Sequence, residues 1–242
     1  MKKAIIVVIT AVIVIAAGIG TFFVIRNSTS GSADGSKEKS VFNEQQIRLL
    51  RCFRDNEADA VKGVISDEKL SLWEDGGEFG FEEYDINGLK LSAFYSSEDD
   101  RITNEYFRFD AGIKRLLKDP VSDKEEDKCK ASLSTITELC NTLFGVDVYD
   151  CYGFYDKNGL PLDKEQPPIK KLLQGETKFA LFVRDVDGSL WKIYGEMTDA
   201  SDYAGPDEDE DENAEYELIF SFTRYFDTEL FKDVSADITL KK

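Results

Sequence analysis

From Ala4 to Ile25 the chain runs 22 residues without a charged side chain, and Met1, Lys2 and Lys3 place positive charge just before them. A helix needs about 20 apolar residues to cross a hydrocarbon core of about 30 Å. The run is long enough, and it predicts a transmembrane helix over 4–25. A cleaved secretory signal has a shorter apolar region, about 7–15 residues, ahead of a small-residue cut site. Here the small residues "IAAG" at 15–18 are followed by seven more uncharged ones, "IGTFFVI". The expectation is a retained signal anchor whose partner is the lipid bilayer. Lys2 and Lys3 lie before the span and Arg26 directly after it, so residues 1–3 are expected in the cytoplasm and all that follows outside the cell membrane.

Residues 26–42 are rich in Ser and Gly and offer little to bury, which reads as a flexible linker. Residues 43–242 then form the extracytoplasmic part. They carry 25 Lys/Arg against 46 Asp/Glu, a net charge of −21. So negative a surface repels phosphate backbones, and no nucleic-acid partner is expected. The chain has no histidine, which removes the Ser-His and Cys-His nucleophile pairs, histidine bases and the common catalytic zinc sets.

Ile47, Leu50, Phe53, Ala60 and Val61 recur at helical spacing, predicting a helix over 43–62 that stops at Gly63. A second helix is better marked. Ser122 and Glu125 form a capping box after Pro120, Cys129, Leu133, Ile136, Cys140 and Leu143 step along one face, and Gly145 closes it. Short helical turns are expected at 111–119 and 167–175. Elsewhere the apolar period is two, predicting strands at 79–84, 89–96, 103–109, 147–155, 178–185, 189–196 and 215–226. Connections this short require antiparallel pairing. The fold class is therefore α+β, helices packed on an antiparallel sheet.

Three strings punctuate the chain: "YDINGLKL" at 84–91, "YDKNGLPL" at 155–162 and "RDVDGSLW" at 184–191. A calcium loop of the EF-hand type places an acid five residues before its glycine and a glutamate six after it. The opening positions are Glu83, Phe154 and Val183 and the closing ones Phe94, Glu165 and Tyr194, so no string carries a ligand at both ends. They read as chain reversals. The first two agree at six of eight positions and are accompanied by "IKRLL" and "IKKLL", hinting at related halves, 43–119 and 122–226.

No catalytic, cofactor-binding or metal-ligating residue is assigned, and no cofactor is expected. The acidic run at 206–217 lacks the spacing of an oxygen cage and reads as a solvated loop. Cys129 and Cys140 are eleven residues and about 16 Å apart on one helix, too far to bond each other. Bridges of Cys52 with Cys129 and Cys140 with Cys151, or of Cys52 with Cys140 and Cys129 with Cys151, remain open beside buried free thiols. Trp73 and Trp191 are candidates for lining a sugar or peptide groove, against a core role.

The order of helix then sheet, ending in "FVRDVDGSLWKIYGEM", resembles that of cystatin-like and nuclear-transport-factor-like α+β folds. The likeness is one of architecture over a single hairpin, and it implies a non-catalytic binding or accessory module. The expected function is a membrane-anchored extracytoplasmic binding or accessory domain, taking a protein partner or small ligand. The alternative is an extracytoplasmic hydrolase using paired carboxylates, for instance on glycans.

Overall fold

The computed structural model describes residues 41–53, 57–149, 151–162, 168–200 and 214–241. The expected span at 4–25 and the linker up to residue 40 lie outside the described residues, among which no helix is long and apolar enough to cross a membrane. Residues 42–242 gather into one contact unit.

That unit is α+β, a large antiparallel-dominated sheet with few helices. Helices α1 (Glu44–Cys52) and α2 (Ala58–Asp67) come first, followed by strands β1 (Trp73–Asp75), β2 (Glu78–Ile86), β3 (Leu89–Glu98) and β4 (Arg101–Leu116). Then come α3 (Asp123–Phe144), β5 (Gly153–Asp156), α4 (Ile169–Leu173), β6 (Thr177–Arg184), β7 (Leu190–Asp199), β8 (Glu215–Tyr225) and β9 (Ile238–Thr239). The strands lie in the order β1-β2-β3-β4-β8-β7-β6-β5. Two meanders thus meet at the β4–β8 seam, where Phe107 faces Phe222 and Phe109 faces Phe220. β9 runs parallel to β6, which its longer approach from β8 permits.

Local chemistry accounts for the helix ends. Asn43 caps α1, its side chain accepting from the Gln46 amide at 2.8 Å while Gln46 accepts from the Asn43 amide at 2.9 Å. Ser122 and Glu125 make the same reciprocal pair at α3, and Gly145 ends that helix with φ +66°. The helices cover one sheet face. Phe53 after α1 stacks on Phe107 at 3.8 Å between ring centroids, and Phe144 of α3 meets Trp191 edge-on at 5.7 Å.

Several expectations need correction. The helix expected over 43–62 is two, and α2 continues through Gly63, a position with open space beside it. The helical turn expected at 111–119 is mostly strand, because β4 continues to Leu116 through a bulge at Gly112, whose φ is +60°, and pairs Lys114 with Glu217 and Arg115 with Tyr216. "IKRLL" is therefore strand through Leu116, whereas "IKKLL" forms α4 between Pro168 and Gly175. Of the strand expected at 147–155, β5 uses Gly153 onward. The strands β1 and β9 have too few residues for a period to show.

The three strings are chain reversals. Asn87 and Gly88 take φ of +55° and +87° in the β2–β3 turn. In the β6–β7 turn the Gly188 amide returns to the Asp185 carbonyl, and after β5 the Gly159 amide returns to the Asp156 carbonyl. Counted inward from each edge of the sheet, the β2–β3 turn corresponds to the β6–β7 turn, so the string at 84–91 shares its place with 184–191 and not with 155–162.

An added Cβ at Gly80 would lie 2.1 Å from the Ala93 carbonyl oxygen and 2.9 Å from the Trp73 ring. Gly80→Ala should cost about 1–3 kcal/mol, whereas Gly63→Ala, in the open side of a helix, should add about 0.5–1 kcal/mol. Thermal unfolding of both variants reads this as shifts of opposite sign, about 2–4 °C per kcal/mol for a domain of this size.

Candidate functional site

Two regions of the sheet hold chemistry, one on each face. On the helix-covered face, Tyr95 of β3, Glu105 of β4, Arg224 of β8 and Trp191 of β7 stand abreast in consecutive ladder positions. The β6–β7 turn adds Asp185, Asp187 and Ser189. Arg224 Nη1 lies 3.7 Å from Glu105, and Nη2 lies 3.6 Å from Asp185 and 2.9 Å from Asp187. Arg224 Nε donates to the Ser189 hydroxyl at 2.9 Å, and its guanidinium carbon sits 5.3 Å from the Trp191 centroid.

One guanidinium therefore meets three carboxyls. The side chains of Glu105 and Asp185 are 0% and 1% exposed, that of Asp187 45%. The excess negative charge has little solvent to screen it, so protonating one acid lowers the energy. Asp185 accepts from the Val186 amide at 2.7 Å and the Trp191 indole at 3.3 Å. Burial works against the Asp187 carboxylate, but the Ser189 hydroxyl and amide and Arg224 outweigh it and hold its pKa below the usual range. Glu105 has only Arg224, at 3.7 Å, to favour its charged form. Burial pushes its pKa well above the carboxylate range, Arg224 opposes this, and Asp185 and Asp187 add to it. Tyr95 is also raised, by burial first and then by Cys52 and Glu105.

Tyr95 Oη, both Glu105 oxygens and Arg224 Nη1 are buried with no hydrogen-bond partner among the described residues. Each such group costs about 1–3 kcal/mol if nothing meets it. Four together rival a whole domain's net stability of about 5–15 kcal/mol.

The opposite face has a different character. One row crosses seven strands, pairing Trp73, Gly80, Phe94, Tyr106, Thr223, Lys192 and Phe182 in turn. Apart from the buried Gly80, these residues are half-exposed. Ring centroids run 5.9 Å from Trp73 to Phe94 and 6.0 Å on to Tyr106, whose hydroxyl lies 3.1 Å from Ser221 Oγ. In the next rows Tyr194 carries Lys192 over its ring at 4.3 Å and Lys178 at 5.6 Å. Lys178 pairs with Glu196 at 2.5 Å, and Arg108 and Lys114 share the buried Glu217. Among the described residues no carboxylate lies within ion-pair distance of Lys192, and burial lowers its pKa, with Glu196 opposing and Lys178 contributing.

The residues singled out in the sequence fall as follows. Trp191 is wholly buried and Trp73 is half-exposed on the other face, so the two do not line one groove. Among the described residues no disulfide joins any two of the cysteines, so neither pairing is made; Cys52, Cys129 and Cys140 are buried, and burial raises the Cys129 pKa to about 12. Of the acidic run, 206–213 lie outside the described residues, while Glu217 is buried under Arg108 and Lys114. Asp156 accepts from the Asn158 and Leu160 amides through its side-chain oxygen, and Asp187 accepts from the Ser189 amide. Among the described residues no group of three or more acids or cysteines converges on a metal position.

Glu105 and Arg224 are the functional candidates that sequence reasoning missed. Their signal was present in the strand phase: Glu105 shares parity with Phe107 and Phe109, and Arg224 with Phe220 and Phe222. No protein-family model, curated protein or solved structure matches the chain, so its chemistry rests on these residues alone.

Because the folded chain holds the Glu105 proton more tightly than the unfolded chain, its contribution to stability is complete below the unfolded carboxyl pKa of about 4.3. It is lost as pH rises through the window up to the raised folded value, with a slope approaching about 1.4 kcal/mol per pH unit. Glu105→Gln, neutral at every pH, should flatten that slope. Urea midpoints from about pH 4 to about pH 8 test this; a variant that loses stability with pH as steeply as the parent rules it out.

Proposed function

We propose that the chain is a single-pass membrane protein, anchored by residues 4–25 as a signal anchor, whose acidic folded unit binds a protein partner outside the cytoplasm without catalysis. The anchor is supported by the uncharged run from Ala4 to Ile25 with Lys2 and Lys3 before it. The observation that carries the binding role is the half-exposed row from Trp73 to Phe182, on the sheet face opposite the helices. Aromatic side chains with a polar edge dominate protein recognition, and Trp73, Phe94, Tyr106 and Tyr194 sit there among Ser, Thr and Lys. Lys192, with no ion-pair partner among the described residues, suits a carboxylate or carbonyl on an otherwise apolar partner surface.

A carboxylate-dependent hydrolase is the second reading, and Glu105 favours it by holding a proton in the way a general acid must. Its complete burial ranks that reading second, since a glycan would have to enter the core to reach it.

Crosslinking of the full chain in its own membrane should yield a defined companion. Tyr194→Ala combined with Lys192→Glu should reduce its capture at least about tenfold while leaving thermal unfolding cooperative. Recovery of the chain as a clean monomer removes the binding role. A reporter fused after Lys242 that is active only when exported tests the address, and a cytoplasmic signal overturns the orientation. Glycan cleavage by the parent chain that Glu105→Gln abolishes would install the hydrolase instead.

A further inference from the structure

Four of the unmet polar atoms, the Tyr95 hydroxyl, both Glu105 oxygens and Arg224 Nη1, share one place. Tyr95, Glu105 and Arg224 occupy directly opposed positions on β3, β4 and β8, and all three are more than nine-tenths buried. Opposed side chains in antiparallel pairs leave Cβ atoms about 4.5–5.5 Å apart, which brings hydroxyl, carboxyl and guanidinium to one small volume. Cys52, at the end of α1, lies against Tyr95 from the helix side, with its thiol donating to the Leu49 carbonyl at 2.7 Å. Trp191 closes the far side of Arg224.

These groups do not satisfy one another. Arg224 Nη1 and Glu105 Oε2 are 3.7 Å apart, beyond hydrogen-bond reach and at a separation that an interposed molecule bridges. The chemistry on offer narrows the guest. Arg224 already meets Glu105, Asp185 and Asp187, so an anion adds to a negative excess, while a cation faces the guanidinium. An apolar guest leaves all four atoms unmet. What remains is a small neutral molecule that both donates and accepts.

We propose that Tyr95, Glu105 and Arg224 form an internal water-binding site in the core beneath α1. The water accepts from Arg224 Nη1 and from the Tyr95 hydroxyl and donates to the Glu105 carboxyl. Three partners is the usual complement of a buried water, about three hydrogen bonds. Through it the Glu105 carboxyl, which has no exposed surface, gains a hydrogen-bond donor inside the core.

The test uses the full chain in mild detergent. A structure that displays ordered solvent should show a water within hydrogen-bond distance of at least two of the four atoms. A dry row, with the Tyr95 hydroxyl bonded directly to Glu105, overturns the site, and this measurement needs no variant to fold. Two substitutions add an independent readout. Glu105→Gln keeps a donor and an acceptor and should retain the water with little change in Tm. Glu105→Met fills the volume with an apolar chain, leaves Tyr95 and Arg224 unmet, and should lower Tm below that of Glu105→Gln by about 4 °C or more. A Met variant as stable as the Gln variant sinks the proposal.

Discussion

Everything in the folded unit hangs on the seam between β4 and β8. Each is the inner strand of its own meander, and neither meander closes a sheet without the other. The seam brings Phe107 and Phe109 against Phe222 and Phe220, the floor on which Phe53 lands, while Phe144 of α3 meets Trp191 on the neighbouring β7. It also sets Glu105 beside Arg224. A slip of one residue would turn Tyr106 inward and Phe107 outward, so the apolar pattern and the ion pair specify the same register.

Much of this architecture was legible, and the reason is local. Where a signal repeats within one element, as in the stripe of α3 with its capping box or the alternation of β8, the residues alone specify the element. Where tertiary pairing decides, they do not. "IKRLL" and "IKKLL" differ by a single basic residue, yet most of the first lies in a strand and the second in a helix. Gly112 and the β8 partner hold the first extended, while Pro168 and Gly175 bound the second. The string match between 84–91 and 155–162 misled for a related reason, since turns that need the same backbone angles choose the same residues.

The polar centre was hidden by abundance. With 48 acidic residues in the chain, no single one stands out by type. Phase is the better filter. Glu105 opens the apolar run of Phe107, Phe109 and Ala111 on its strand, Arg224 sits between Phe222 and Phe226 on its own, and nothing in a solvated surface requires opposite charges to coincide there. The row from Trp73 to Phe182 is harder to see, because its members come from seven strands and become neighbours only once the sheet order is known.

The seam has a cost in time. Tyr106 and Ser221, neighbours across it, are separated by 115 residues. A growing chain completes β4 long before β8 exists, and meanwhile β4 presents an unpaired backbone edge beside Phe107 and Phe109. Such edges invite pairing with other chains, and contacts this distant form slowly. The nascent first half is therefore the aggregation-prone stage of this protein's life, and its yield depends on how long β4 must wait for its mate.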